Sequence, residues 1–388
     1  MKNASPRRQF SVLRFYVSVR ALAIVCLFGG SVSGSFGASS FTGLGSLPGG
    51  KESFAEAVSG NGLVVVGAAG DFSGPHMVGE AQPCQAFRWT AKGGMVGLGF
   101  LPGQSNSVAS AVSYDGSVIV GSSDSVSATL GFRWTAAGGM VPLKPLPNDT
   151  VTEARGISGD GMVMAGTSSG GSPEKTRACR WTAAGDVADL GLLPRSTGSM
   201  AYAVSSNGKV VVGDSFSPLN GEQGFGLEAF RWTAAKGMVS LGKFPFGFSM
   251  TRAVSRDGSV VVGGRYRWTQ AGGMVELAFP HASNAWFALN GVSGDGAVIV
   301  GYLECEWDDK PGKSEIAIIW DSVHGMRNLQ SVLTNEYHLN LDGWQLFEAT
   351  GISADGRTIV GSAEGRPGGY EGWMVHLDRP VNAAVKKK

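Results

Sequence analysis

Short apolar runs alternate with turn residues along most of the chain, and they do so in a repeating order. "AVSYDGSVIVGSS" from Ala111 returns as "AVSSNGKVVVGDS" from Ala203, "AVSRDGSVVVGGR" from Ala253 and "GVSGDGAVIVGYL" from Gly291. The unit [AG]-[VI]-S-x-[DN]-G has its serine at 59, 113, 158, 205, 255, 293 and 353. Small and apolar residues lead into each serine. Asp-Gly or Asn-Gly then tolerates the positive φ of a tight hairpin, and a β-branched run such as "SVIVG" follows. After a variable segment comes a strand built around Trp89, Trp134, Trp181, Trp232, Trp268, Trp320 or Trp373, mostly as "RWT" and three times as "FRWT". A second turn ("AAGG") leads to a fourth run, as in "MVPL". Two tight hairpins joined by a loose loop predict a four-stranded antiparallel meander.

Seven such meanders predict an all-β fold, a seven-bladed β-propeller, because a lone blade is apolar on both faces and is covered only by its neighbours. A β-solenoid is the competing architecture. Its rungs need only about 20 residues and lack paired hairpin turns. The last copy stops after "GWMVHL" without a fourth run, and "FTGLG" before the first copy matches "MVGLG" at Met95–Gly99. Phe41–Gly45 is therefore expected to pair beside Gly372–Leu377 and close the ring. The long segment before the last copy predicts a short helix from about Leu329 to His338. Tyr337, His338, Asp342 and Trp344 in that segment read as packing residues. In "FRWT" the Phe and Trp share one strand face and fill the space between blades. The arginine (Arg88, Arg133, Arg180, Arg231, Arg267) recurs too often to mark one active site and reads as a pairing between neighbouring blades.

The full pattern, "LGxLPGG…AxAVSxDGxVVVG…AFRWTAAGGMVxLG", stands with small departures as Leu44 to Gly99 and recurs, eroded, to Leu377. It resembles the HAF family of bacterial extracellular repeat proteins, and its S-x-D-G hairpin is similar to the turn of TolB-like propeller repeats. Repeat six ("AIIWDSVHGMRNL") and repeat seven depart from the pattern. The resemblance implies export and a repeat scaffold. It implies no reaction, so it carries over no catalytic residue.

The first 20 residues hold Lys2, Arg7, Arg8, Arg14 and Arg20 and no acid, followed by apolar "ALAIVCLFGG" and small, polar "SVSGSFGA". That is the order of a signal peptide. It predicts residues 1–37 as a signal peptide cleaved after Gly37, 38–378 as the propeller and 379–388 as a basic tail. An uncleaved anchor is the alternative, although ten strongly apolar residues are few for a span. "RRQF" leaves Sec and twin-arginine export both open. Net charge is +1 and basic runs occur only at the ends, which argues against nucleic acid. The mature chain would keep Cys84, Cys179 and Cys305, an odd, scattered set that is no disulfide framework.

No catalytic constellation, metal-ligand spacing or cofactor motif appears. The five histidines form no ligand pair, and "GTSSG" at Gly166 lies in a Gly/Ser segment with no helix after it. The acidic segment Glu304, Glu306, Trp307, Asp308 and Asp309 is the most distinctive insertion and the candidate ligand-binding loop. Inner runs such as "SVASAVS" offer small and apolar residues to the ring axis. Glu56 and Glu153 are the exceptions, with Arg155 and Arg252 as their possible partners. The expectation is a secreted, periplasmic or cell-surface monomer, a non-enzymatic binding or structural module for an extracellular glycan or protein. It needs no cofactor and contacts no membrane beyond its export signal. The alternative is a glycan-directed lectin or hydrolase with its site on the variable-loop face. Carboxylates converging in the central channel would favour an enzyme.

Overall fold

The computed structural model describes residues 38–71, 84–125, 128–170, 176–218, 225–242, 250–278, 286–307, 310–364 and 369–382. Seven four-stranded antiparallel sheets form the blades of a β-propeller. Six are laid down in sequence order, each starting at the axis and ending at the rim. The inner strands are Glu52–Val58, Asn106–Val112, Val151–Ile157, Gly198–Val204, Thr251–Val254, Trp286–Val292 and, in blade 7, Gln345–Ile352. The signal-peptide segment 1–37 lies outside the described residues.

Side-chain chemistry explains why each repeat needs its serine. Ser158 is fully buried. Its Oγ donates to Asp160 Oδ1 (2.5 Å) and accepts from the Val163 N–H (3.0 Å), while Asp160 Oδ1 also accepts from the Met162 N–H (3.0 Å). The same triangle joins Ser113 to Asp115, Ser205 to Asn207 and Ser353 to Asp355. Turn donors that a two-stranded edge would leave unpaired are thus satisfied inside the hairpin. The hairpins also bond to one another around the axis. Tyr114 N donates to Gly159 O, Gly159 N to Ser206 O, Arg256 N to Gly294 O, Gly294 N to Ala354 O, and Ala354 N to Gly60 O, all at 2.9–3.0 Å.

A second recurring residue, the glycine that ends "VVVG", shapes the inner strands. A Cβ on Gly121 would stand 1.9 Å from the Val108 carbonyl oxygen, and one on Gly166 or Gly361 would meet the Glu153 or Glu348 carbonyl at 1.9 Å. Only glycine allows this approach. Beside it the inner strand carries a β-bulge, with register shifts at Ala55/Ala57, Ala109/Ala111, Ala154/Gly156, Ala201/Ala203, Thr251/Ala253, Leu289/Gly291 and Ala349/Gly351. The extra residue always lies three before the serine.

Ring closure uses both ends of the chain. Ser40–Gly43 pairs antiparallel with Tyr370–His376 as the outermost strand of blade 7, with Phe41 opposite Val375 and Gly43 opposite Trp373. The Phe41 ring lies 6.1 Å from Trp373 and 5.3 Å from Trp344. Between blades, apolar clusters join neighbours, as where Phe87 and Trp89 of blade 1 pack with Val360 and Met374 of blade 7. Arg231 Nε donates to the Gly258 carbonyl of the next blade (3.2 Å), and Arg267 lies 5.8 Å over the Trp320 ring of the next blade. The helix covers Leu329–Asn335, capped by Asn328, whose side chain accepts from Ser331 N. It stops short of His338, which takes φ 55°. Arg379 stacks 4.7 Å from the Tyr337 ring and Val381 is buried, so the packed body passes the expected boundary at 378. Residues 383–388 lie outside the described residues.

Candidate active site in the axial channel

The seven bulge residues are Glu56, Ser110, Arg155, Tyr202, Arg252, Asn290 and Thr350. A bulge re-aims a side chain that would otherwise lie against a blade face, and here these side chains meet around the axis. Arg155 lies 5.3 Å over the Tyr202 ring of the next blade. Asn290 Nδ2 donates to Glu348 Oε1 (2.9 Å) and to Ala349 O (3.2 Å) across a blade boundary. Thr350 Oγ1 donates to the Ala55 carbonyl (2.8 Å) across the closing junction. Two residues further from the serine, Glu153 and Glu348 add carboxylates. Glu153 forms an ion pair with Arg155.

The electrostatics combine burial with charges contributed by several blades. Glu56 touches channel solvent, yet the enclosing ring pushes its carboxyl up. Arg252 and Arg155, from blades 5 and 3, pull it back. Glu348 is pushed up to about 7, first by burial and then by the charges of Glu56 and Glu315, while Arg252 and the Asn290 hydrogen bond oppose the shift. Burial also raises Tyr202. Tyr302 is raised by burial and then by Glu348. Arg252 makes no hydrogen bond or ion pair among the described residues. Its guanidinium therefore has free donors facing the same space as a carboxyl that titrates near neutrality. An unpaired guanidinium suits an anionic group, and a carboxyl near pH 7 suits proton exchange. Among the described residues no three His, Cys, Asp or Glu side chains are grouped to hold a metal ion.

The insertion of blade 6 is not a loop. Val298–Trp307 and Lys310–Asp321 form a long two-stranded ribbon, in which Glu304 opposes both Trp286 and Glu315. Glu306 and Trp307 lie on the first strand of that ribbon. Asp308 and Asp309 lie outside the described residues. The ribbon matters to the channel through Glu315, whose charge reaches Glu348. Glu348 itself escaped the sequence reading. It sits five residues before Ser353, as Glu153 sits five before Ser158, and aligning the repeats on the serine finds it. Cys84 and Cys179 are free thiols, and burial pushes Cys84 up to about 11.

No family model matches the chain, and no curated protein matches it. Solved propellers are similar in fold. The β-propeller domain of the trilobed protease from Pyrococcus furiosus is 11% identical, with a TM-score of 0.53 over 87% of this chain and 99% of that one. Oligogalacturonate lyase from Vibrio parahaemolyticus is 10% identical, with a TM-score of 0.51 over 87% of this chain and 97% of that one. An oligogalacturonate lyase in complex with manganese gives a TM-score of 0.50 at 10% identity, over 88% and 96%. The protease domain is described as having an open velcro topology. Here an N-terminal strand completes the last blade. The lyase likeness corrects the expectation of a non-enzymatic binding or structural module, because a ring of this architecture carries an enzyme. The inner strands read in sequence as mostly small and apolar apart from Glu56, Glu153, Arg155 and Arg252. Those four do interact as expected, and the correction is that Tyr202, Asn290, Glu348 and Thr350 join them. Among the described residues no helix is long and apolar enough to cross a membrane.

Proposed function

We propose that the protein acts on a small acidic, hydroxylated molecule, the class that includes uronic acids, held in its axial channel. The observation that carries this reading is the pairing of Arg252, with free donors, and Glu348, titrating near neutrality, in one enclosed space. Arg252 takes the carboxylate. Glu56 and the Asn290 Oδ1 accept from hydroxyls, since both Asn290 Nδ2 hydrogens are held by Glu348 and Ala349. Glu348 exchanges a proton as general acid or base, for which a pKa close to the working pH is most effective. The lyase likeness is one of fold and supports only that such a ring suits an enzyme. The test is binding and turnover of galacturonate and its short oligomers, followed calorimetrically and by the appearance of new double bonds or reducing ends. Arg252→Gln is expected to lose binding, and Glu348→Gln to bind but not turn over. Binding that is unchanged in Arg252→Gln, or absent for every acidic sugar tried, refutes the proposal.

Export is part of the same reading. It rests on the basic, apolar and small-residue order of residues 1–37 and on the resemblance of the repeats to the HAF family. Mass spectrometry of the exported protein should find an N-terminus near Ala38, and recovery of the intact Met1 end in membranes would count against it.

A further inference from the structure

The channel changes character toward its hairpin end. Beyond the polar bulge residues lies a cavity of about 140 Å³ walled by Val112, Ile157, Val204, Val254, Val292 and Ile352. These are branched side chains, each standing one residue before its serine. An apolar cavity of about 150 Å³ takes a benzene-sized guest, so this pocket has room for a short branched body. The backbone at its mouth is largely spent, since the N–H groups of Tyr114, Gly159, Arg256, Gly294 and Ala354 bond to neighbouring hairpins. The mouth is also kept bare. A Cβ on Gly60 would stand 2.2 Å from the Tyr114 ring, and one on Gly159 would stand 2.3 Å from Ser206 Oγ. Two large side chains remain there, Tyr114 of blade 2 and Arg256 of blade 5, and the guanidinium lies 5.6 Å over the ring. Arg256 makes no side-chain hydrogen bond or ion pair among the described residues.

We infer that this mouth is a second binding site, separate from the polar channel above it, for a short branched or cyclic carboxylate. The apolar body fills the valine–isoleucine collar, and the carboxylate takes the forked donors of Arg256, which match its geometry. A neutral apolar guest would leave the guanidinium unused, and a hydrophilic anion would leave the collar facing water. Tyr114 flanks the charged head and keeps the guanidinium oriented over the opening.

The probe is 3-methylbutanoate, with 3-methylbutan-1-ol as its neutral counterpart, titrated into the protein while the Val and Ile methyl resonances are followed. Saturable shifts confined to the collar methyls are expected. Arg256→Gln should weaken the carboxylate by about tenfold or more, the scale of a lost charge-assisted hydrogen bond, and leave the alcohol unchanged. Arg256 is exposed, so this variant should keep its melting temperature. Arg252→Gln should leave 3-methylbutanoate binding intact, which separates this site from the one proposed above. The inference is overturned if neither probe shifts the collar methyls saturably. It is also overturned if Arg256→Gln binds the carboxylate as tightly as the unaltered protein, or if Arg252→Gln is the variant that loses it.

Discussion

Glu348→Gln removes a channel carboxyl that is held near neutrality, and the effect on stability follows from the shift. The group moves from an ordinary 4.5 to about 7. At about 1.4 kcal/mol per pH unit, its ionised form costs the folded protein about 3 kcal/mol. The unfolded chain releases this proton near pH 4.5, and the folded chain keeps it until about pH 7. A raised acid of this kind contributes fully below pH 4.5 and loses that contribution as the pH climbs to 7, after which the loss is complete. Glutamine keeps the length of the side chain and the oxygen that Asn290 donates to, and it cannot ionise. The unaltered protein and the variant should therefore be close in stability at pH 4.5. By pH 8 the variant should be ahead by about 3 kcal/mol. Urea unfolding followed by tryptophan fluorescence from pH 4.5 to 8 measures the difference. Glu56→Gln made alone, with Glu348 kept, should move the titration of Glu348 downward, because the Glu56 charge is one of its causes. A stability difference that stays constant across the pH range, or a variant that is the weaker protein at pH 8, refutes the account of the channel as enclosed and charge-coupled.

Gly166→Ala should cost about 1–3 kcal/mol as the backbone yields to a Cβ placed 1.9 Å from the Glu153 carbonyl oxygen. It should also weaken ligand binding by displacing Glu153 and Arg155. Gly121→Ala makes the same approach to Val108, so denaturant midpoints should fall alike for both while binding falls more for Gly166→Ala. Ser158→Ala leaves the buried Val163 N–H without the Ser158 Oγ, a loss of about 1–3 kcal/mol in chemical denaturation. Deleting residues 38–46 removes the strand that completes blade 7. Calorimetry should show the whole ring melting earlier in one transition, and an unchanged main transition would mean that this strand only decorates the edge.

Turn chemistry made the blades readable. A serine that must serve both an Asp or Asn side chain and a strand N–H leaves little freedom in sequence, so it is written seven times. The closing strand was readable for a related reason: "FTGLG" is the fourth run of a repeat set at the wrong end of the chain. The channel was harder to read. Strict alternation assigns each residue of an inner strand to one blade face or the other, and the bulge breaks that alternation at the position that matters, Glu56 or Arg252. The clue was the glycine of "VVVG", which demands a close backbone approach from the facing strand. Glu348 was hidden by the irregular stretch before blade 7, where the inner strand carries two register shifts. The acidic segment of blade 6 was misread in its conformation alone. Its charges suggested a loop, although Tyr302, Leu303, Glu304, Cys305, Glu306 and Trp307 already alternate as a strand does.

Because blade 7 draws its outermost strand from residues 40–43, its completion depends on groups at the two ends of the chain. Ser39 and Asp378, 339 positions apart, hydrogen-bond to each other across the seam. During synthesis the first six blades can form as local meanders while the early strand waits, unpaired, for a partner made last. Contacts that span the whole chain are the slowest to form. The seam is therefore expected to be the late step in folding, and until it closes the flank of blade 1 and the edge at Trp373 would stay open to other chains. A chaperone or an export route that holds the early segment back would act at this step, and refolding should show a slow phase that disappears when the two ends are joined in a circular permutant opened between blades.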